Sequence, residues 1–206
     1  SIKDKRIQKQ FYRDHNIPTA DFILTENKKA VLANQDFLPA FQKLGTGGYD
    51  GGGVQRLNSL NDIEKAFDSP SLLEKLIDFD REISIVAARN ADGEIKVFPT
   101  VELVFNPEYN LVAYLIAPSS LPQNIQDEAE KIAIDVVSSL GIVGILAVEM
   151  FVTKNGKVLV NEVAPRPHNS GHQTINANYT SQYEQHLRAI LNLSLIHISE
   201  PTRQEA

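Results

Sequence analysis

The chain has 206 residues, 42% of them hydrophobic, which suffices for one domain or two small ones with a buried core. Its formal net charge of −6 argues against nucleic acid as the main partner, because nucleic-acid-binding proteins usually present a basic face. The absence of cysteine excludes disulfides and thiolate metal sites, and without an apolar run of about 18 residues we expect no membrane helix and a cytoplasmic location.

The first half of the chain predicts a helix followed by short strands. The helix covers residues 4–15 and should end before Pro18, because the residue ahead of a proline disfavours helical backbone. Ser59 is placed to cap a second helix over about residues 62–68. The predicted strands, in chain order, are Phe22–Thr25, Phe37–Leu44, the apolar segment Leu72–Ile77, Arg81–Arg89 and Ile95–Pro99.

The second half predicts a long helix next to a β-hairpin. Asn124–Leu140 carries apolar residues at helical spacing and is stopped by Gly141. Asn155-Gly156 is a strong hairpin signal between strands expected over Ile142–Val152 and Lys157–Val163. A further strand is predicted over Leu111–Ile116 and a last helix over Ser181–Leu191. Helices mixed with hairpin-paired strands favour the α+β class rather than a doubly wound parallel sheet.

The twelve residues from Asn161 to His172, NEVAPRPHNSGH, are rich in hydrogen-bonding side chains. They follow an apolar strand-like run and combine a carboxylate, a guanidinium, two imidazoles, two amides and a hydroxyl with prolines and a glycine. Such a stretch does not build a core. We therefore interpret it as a loop that meets a charged ligand at the end of a strand.

Glu149 and Glu162 are predicted to face each other across the hairpin. A two-residue turn at Asn155-Gly156 places Lys154 opposite Lys157 and, further along, the two glutamates opposite each other. Opposed side chains lie about 4.5–5.5 Å apart at Cβ, so two like charges need a shared proton or a cation between them. Two oxygen ligands suit Mg²⁺. Two solvated glutamates on an exposed face, or a slipped register, remain as alternatives.

The segment Gly45–Gly53, GTGGYDGGG, has six glycines in nine residues. A loop of this kind lets backbone N–H groups approach phosphate oxygens, and Lys43 at the end of the preceding strand could neutralise phosphate charge. The spacing fits neither a Walker A motif nor a dinucleotide fingerprint. A flexible hairpin tip is the alternative.

Five segments together resemble one family. They are Lys43 with GTGGYDG, Glu74–Ser84 (EKLIDFDREIS), Ala147–Val152 (AVEMFV), NEVAPRPHNSGH, and Thr180–Leu191 (TSQYEQHLRAIL). Over roughly residues 4–192 the chain is similar to the ATP-grasp domain of 5-(carboxyamino)imidazole ribonucleotide synthases. That family acts in purine biosynthesis, joining bicarbonate to the amine of 5-aminoimidazole ribonucleotide through carboxyphosphate while ATP is cleaved to ADP and phosphate.

The resemblance implies an ATP-grasp fold of the α+β class, with two subdomains of mainly antiparallel sheet that grip ATP between them. A small lid subdomain with the glycine loop would cover about residues 15–75, and a larger subdomain with the metal and substrate site about residues 76–192. Implied partners are ATP, bicarbonate and 5-aminoimidazole ribonucleotide, with Mg²⁺ as cofactor. For the full-length parent we expect a homodimer.

The resemblance also assigns roles to residues. Glu149 and Glu162 would hold Mg²⁺, while Arg166 and His168 would act catalytically on bicarbonate and carboxyphosphate. The implied substrate-binding residues are Asn169, Ser170 and His172. The implied ATP-binding residues are Lys5, Lys43, Gly48, Tyr49, Asp50, Gly51, Gly52, Gly53, Glu74, Lys75, Leu76, Ile77, Glu82, Asn161 and Glu162. Among these, the strand Glu74–Ile77 would meet adenine through its backbone, and Glu82 would take the ribose hydroxyls.

The chain departs from the family pattern at several positions. Family members often carry basic residues where this chain has Gly45 and Gly52, and some carry a histidine where it has Phe105. Two alternatives therefore stay open. One is another ATP-grasp carboxylate–amine ligase, such as formate-dependent glycinamide ribonucleotide formyltransferase. The other is an ATP-binding fragment without catalysis.

The two ends of the sequence look incomplete or foreign. Residues 193–206 begin LSLIHISEPTR, which resembles the conceptual translation of a sequencing-library adapter, so we expect a non-native tail without function. An ordinary strand with a polar tail is the alternative. The first residue is not Met, and we expect further sequence of a longer protein before it.

Overall fold

The computed structural model describes residues 3–47, 52–105 and 112–195. These residues form two compact units, one that ends at Asp78 and one that begins at Phe79. None of the helices in the described ranges combines the length and apolar character needed to span a bilayer.

The N-terminal unit contains a four-stranded antiparallel sheet in the order β1-β4-β2-β3. Its strands are β1 (Phe22–Thr25), β2 (Ala40–Leu44), β3 (Val54–Leu57) and β4 (Ser71–Lys75). Its helices are α1 (Lys5–Asp14) and α2 (Lys28–Ala33), with 3₁₀ turns at Gln35–Phe37 and Leu60–Lys65. One apolar cluster supports the sheet and consists of Val31, Ala40, Leu57, Ile63, Ala66 and Leu73.

Three predictions for this unit are wrong in detail. The helix expected over residues 62–68 is a 3₁₀ turn, Leu60–Lys65, although Ser59 does cap it through its hydroxyl. The strand expected from Phe37 begins at Ala40, because Pro39 has no N–H to give to a sheet ladder. The strand expected to reach Ile77 ends at Lys75.

The C-terminal unit contains a larger antiparallel sheet in the order β10-β9-β5-β7-β8, with β6 paired to β5. Its strands are β5 (Phe79–Arg89), β6 (Ile95–Val97), β7 (Val101–Phe105), β8 (Val112–Ile116), β9 (Gly144–Thr153) and β10 (Val158–Ala164). Its helices are α3 (Gln123–Leu140), α4 (Thr174–Ala177) and α5 (Gln182–Ile190), with a 3₁₀ turn at Asn169–Gly171. The antiparallel pairing confirms the predicted α+β class.

The two faces of this sheet are covered by different helices. The predicted apolar stripe of α3 is buried and contacts β5, and Gly141 ends the helix in the left-handed conformation, as expected. On the other face, α5 packs over a core that consists of Val86, Ala88, Phe98, Ile145, Ala147, Ala189 and Leu195. Because side chains alternate along a strand, Ser84 and Glu149 lie on this second face, just beyond the apolar core. Packing also continues past Asn192, since Leu195 is fully buried.

The turn of the β9–β10 hairpin differs from the prediction, but the strand pairing beyond the register shift agrees with it. Thr153 and Lys157 close a three-residue loop, with Thr153 N donating to Lys157 O at 2.9 Å, so Lys154 does not face Lys157. Gly156 takes a φ of 80°, which suits the last position of such a loop. The register then shifts by one residue between Val160 and Glu162. This β-bulge pairs Glu162 with Glu149, so the predicted pair is confirmed although the predicted turn is wrong.

Candidate active site

In the N-terminal unit, one buried carboxylate is shared by two lysines. Glu74 lies on β4, and its cross-strand neighbour on β2 is Phe41. The side chain of Glu74 is only 3% exposed. Lys43 Nζ lies 2.6 Å from Glu74 Oε1, and Lys9 Nζ pairs with Glu74 Oε2. Lys9 also donates to Thr19 Oγ1 at 2.5 Å. The cluster thus holds two cations against one anion.

The charge state of Glu74 follows from this arrangement. Burial by itself would raise the pKa of the carboxyl, but the attraction of Lys43 and Lys9 and their hydrogen bonds outweigh it, so the pKa lies below its ordinary value. Glu74 is therefore ionised at neutral pH. Counting these three side chains alone, two ammonium groups face one carboxylate.

The other predicted residues of this unit have varied surroundings. Lys5 begins α1, and its backbone N–H donates to Gly45 O at 2.8 Å. Lys75 turns its ammonium onto Phe37, donating to the carbonyl at 2.7 Å. Leu76 and Ile77 follow the end of β4 and are half-buried. Gly52 and Gly53 precede β3, whereas Gly48, Tyr49, Asp50 and Gly51 lie outside the described residues.

In the C-terminal unit, polar side chains form a row across three strands. Ser84 on β5 pairs with Glu149 on β9, which pairs with Glu162 on β10. In the next row, Glu82 pairs with Phe151, whose ring stacks on Phe79 at 4.7 Å between centroids. A stacked aromatic surface beside a carboxylate suits a nucleoside, which offers a flat ring and hydroxyl donors.

The NEVAPRPHNSGH loop closes onto this row through His168 and Ser170. His168 Nε2 lies 3.3 Å from Glu149 Oε1. On the other side of the ring, Nδ1 lies 2.9 Å from Ser170 Oγ and accepts from Ser170 N at 3.3 Å. Ser170 Oγ is in turn 2.8 Å from Ser84 Oγ. Because Nδ1 accepts from a backbone N–H, the ring proton belongs on Nε2, where it can be donated to Glu149.

His168 is held in its neutral form. Burial lowers the pKa of the imidazole, and the electrostatic interaction with the Arg166 cation lowers it further, against the opposite effect of Glu162. The contact with Glu149 is therefore a hydrogen bond from a neutral ring rather than an ion pair. It leaves the negative charge of the two glutamates uncompensated by His168.

Three further predicted residues are exposed to solvent. Arg166, Asn169 and His172 lie in the loop and are exposed, and the Arg166 guanidinium donates to the neighbouring Pro167 carbonyl at 3.0 Å. Asn161 is the bulge residue beside Glu162 and is half-buried. The loop therefore presents its cation and one imidazole outward, as a charged ligand would require.

Glu149 and Glu162 are the residues best placed to hold a cation. Within residues 3–47, 52–105 and 112–195 there is no cluster of three or more His, Cys, Asp or Glu side chains able to bind a metal. Two carboxylates alone cannot fill the coordination sphere of a hard cation. The pair would suit a hard divalent cation such as Mg²⁺ only if its other ligands came from elsewhere.

Sequence reasoning missed three residues that support the site. Lys9, Ser84 and Gln182 each contact a predicted residue, namely Glu74, Ser170 and His168. Ser84 lies within the strand-like run REISIVAAR, and alternation from Glu82 could have placed it on the same face. Lys9 and Gln182 lie on helices and reach their partners only through the tertiary fold.

Comparison with known proteins identifies the domain. A family model described as the ATP-grasp domain matches residues 10–183. The N5-carboxyaminoimidazole ribonucleotide synthase of Bacillus subtilis is 39% identical over 84% of this chain and 46% of its own length. The phosphoribosylaminoimidazole carboxylase of Schizosaccharomyces pombe is 38% identical over 96% of this chain and 37% of its own length.

Solved structures share the fold. The N5-carboxyaminoimidazole ribonucleotide synthetase of Thermotoga maritima superposes with a TM-score of 0.82 at 38% identity and covers 96% of this chain and 52% of its own. The Aspergillus clavatus N5-carboxyaminoimidazole synthase, in complex with ADP and 5-aminoimidazole ribonucleotide, gives a TM-score of 0.86 at 30% identity over 95% and 52%. The chain thus spans about half the length of these proteins.

Proposed function

This chain belongs to the ATP-grasp family, and we propose that it is the ATP-grasp part of an N5-carboxyaminoimidazole ribonucleotide synthase. The proposed reaction carboxylates the amine of 5-aminoimidazole ribonucleotide with bicarbonate and cleaves ATP to ADP and phosphate. The observation that carries the proposal is the paired Glu149 and Glu162, joined through His168 to the loop NEVAPRPHNSGH. This arrangement combines a phosphate-metal site and an anion site on one sheet face.

The proposed chemistry needs activation of bicarbonate. Bicarbonate carbon is a poor electrophile. Transfer of the γ-phosphoryl group of ATP to a bicarbonate oxygen gives carboxyphosphate and ADP, and carboxyphosphate then loses phosphate and delivers CO₂ to the amine. For phosphoryl transfer, the protein has to neutralise charge and position the reactants, and it need not form a covalent bond to them. Arg166, exposed next to the site, is suited to hold bicarbonate and the carboxyphosphate formed from it.

We assign the metal to the glutamate pair. Glu149 and Glu162 would hold Mg²⁺, which when bound neutralises phosphate charge. His168 donates its Nε2 proton to Glu149, and Ser170 donates to the other ring nitrogen, so the ring fixes the orientation of one carboxylate. Asn161 next to Glu162 would serve the same bound nucleotide.

In the N-terminal unit, we assign phosphate binding to Lys43. Its ammonium already contacts Glu74, and the two ammonium groups of the Lys9–Glu74–Lys43 cluster favour an anion there. Lys5, the segment Glu74–Ile77 and the loop residues to Gly53 stay predicted ATP contacts, as Glu82 does for the ribose. The expected homodimer and cytoplasmic location also stay predictions, as do the roles of Asn169, Ser170 and His172 toward the acceptor.

A second candidate function is nucleotide binding without turnover. The observation that favours it is the coverage, since the chain spans 46% of the length of the Bacillus subtilis relative. Both candidates require that the chain bind ATP.

Phosphate release from ATP distinguishes the candidates. We would measure it for the 206-residue chain with Mg²⁺ and bicarbonate, with and without 5-aminoimidazole ribonucleotide, and run the Bacillus subtilis relative in parallel as a positive control. Release stimulated by the ribonucleotide supports carboxylation. Calorimetric ATP binding without stimulated release supports the second candidate, and the absence of ATP binding contradicts both.

A further inference from the structure

We propose that Gln182 is a positioning residue that sets the His168 imidazole against Glu149 by holding the His168 backbone. The expected effect on turnover rests on the proposed function, whereas the position of the His168 ring can be tested without it. Gln182 touches neither the predicted metal nor the predicted substrates. It acts through the residue that contacts Glu149.

The contact is a double hydrogen bond to a single residue. Gln182 is the first residue of α5 and is fully buried. Its Oε1 accepts from His168 N at 2.9 Å, and its Nε2 donates to His168 O at 2.8 Å. A carboxamide that pairs with both backbone groups of one residue replaces the two bonds that a neighbouring strand would supply. It therefore fixes the backbone of His168 where the chain has already left β10.

Gln182 is itself held in place. Its backbone N–H donates to Thr174 Oγ1 at 2.9 Å, and that hydroxyl donates to Gly171 O at 2.6 Å. Thr174 is fully buried as well. Gln182 is therefore hydrogen-bonded through its backbone as well as through its carboxamide, which makes it a rigid support.

Gly171 leaves room for this support. A Cβ built on Gly171 would lie 2.5 Å from Gln182 Oε1 and 2.6 Å from Gln182 Cδ. The Gln182 carboxamide cannot move away from such a Cβ without breaking its hydrogen bonds to His168. A glycine is thus required here for space, and the segment His168–Gly171 and the side chain of Gln182 fit as one unit.

Positioning of this kind has a measurable consequence at the ring. The bond from His168 Nε2 to Glu149 is 3.3 Å long, so a small backbone displacement breaks it. Misplacement by about 1 Å near a reacting centre can reduce a rate about 100-fold. Loss of the clamp should therefore affect turnover far more than ATP affinity.

The chain offers a matched control on the same helix. Gln185 is one turn further along α5 and also fully buried, but its carboxamide has no hydrogen-bond partner in the part of the chain that the structure describes. The substitutions Gln182→Met and Gln185→Met remove the same group with a similar change in volume. Only the first removes a contact with His168.

The test reads the imidazole directly. In ¹⁵N spectra of the 206-residue chain at pH 7.5, we expect His168 as the neutral Nε2–H tautomer. Gln182→Met should shift or average the His168 ring signals and leave the ring signals of His15 unchanged. Gln185→Met should leave the His168 ring signals as they are in the wild type. Unaltered His168 signals in folded Gln182→Met would overturn the proposal, as would equal changes in the two variants.

A second variant covers the case in which Gln182→Met does not fold. Gly171→Ala keeps every hydrogen-bonding group and displaces the carboxamide only by its methyl group, so the same His168 shifts are expected. If the chain proves active, Gln182→Met should lower kcat about 10- to 100-fold with KM for ATP little changed. A wild type without turnover would contradict the catalytic proposal alone, since the spectra do not depend on it.

Discussion

Glu149 and Glu162 are direct cross-strand neighbours on adjacent antiparallel strands, one residue after the point where the register of the pair shifts. Ser84 continues the same row on the third strand, and His168 reaches Glu149 from the loop. Two carboxylates so close in one row repel each other unless a cation lies between them. Their juxtaposition is the basis of the metal assignment.

Neutralising either glutamate should abolish metal-dependent use of ATP. Glu149→Gln and Glu162→Gln each remove one charged ligand, while relief of like-charge repulsion should leave the melting temperature equal to or above that of the wild type. Calorimetric titration with Mg-ATP and thermal melts check both parts. Glu130→Gln, on the exposed side of α3, is the control and should bind as the wild type does. Full binding by Glu149→Gln would refute the assignment.

Two single-residue deletions in β10 should destabilise the chain to very different extents. Deleting Asn161 removes the extra residue of the bulge and keeps every other pair, so we expect a loss of about 1 kcal/mol for its hydrogen bonds. Deleting Leu159 instead moves Val160 to the site face and Asn161 into the apolar face, which should cost several kcal/mol. Urea unfolding measures both. Similar losses in the two variants would contradict the assignment of Asn161 as the bulge residue.

Local signals in the sequence predict much of the fold. The spacing of apolar residues defines α3, and the strand-like run before Asn90 defines β5, because both patterns are set by burial on one side of an element. In contrast, β3 (Val54–Leu57) and α2 (Lys28–Ala33) are too short to show a period. Such elements form because their neighbours supply hydrogen bonds and packing.

The sequence predicts the pairing of Glu149 with Glu162, but not the turn that leads to it or the contacts around it. The Glu149–Glu162 pair was obtained with an incorrect turn, and the bulge at Asn161 compensates for the one-residue error. No periodicity predicts a bulge, since it depends on which faces the two halves of a strand must bury. Likewise, Lys9 and Gln182, which contact Glu74 and His168, lie on helices that no local pattern connects to them.

Removing Lys9 should destabilise the N-terminal unit. Lys9→Met leaves Glu74 buried with Lys43 as its remaining ion-pair partner, and breaking one side of a buried charge cluster costs about 3 kcal/mol. Lys29→Met, at an exposed lysine of the same unit, is the matched control and should change stability by less than about 0.5 kcal/mol. Chemical unfolding of both variants decides the matter; equal stability would show that Lys9 contributes nothing through Glu74.

The pH dependence of stability should carry a contribution from Glu74. Its pKa in the folded chain lies below the unperturbed value of 4.5, so the unfolded state binds the proton more readily. The stabilisation is therefore complete above pH 4.5 and is lost as the pH falls through the folded pKa. We expect the stability difference between wild type and Glu74→Gln, measured by urea unfolding from pH 7 to pH 3, to shrink with falling pH. A constant difference would be inconsistent with an ionised Glu74.

Because β9 lies between β5 and β10, we expect the strand to unfold locally less often than the loop that carries His168. Amide hydrogens of a strand bonded on both sides exchange only in the larger opening events, whereas short turns and helices open locally at lower free energy. Glu149 belongs to the first class, and the turn at Asn169–Gly171 with α4 belongs to the second. A transient opening of the loop therefore releases His168 and Ser170 while the carboxylate row stays assembled. On the proposed function, a nucleotide held through a metal at this row would stay bound during such an opening.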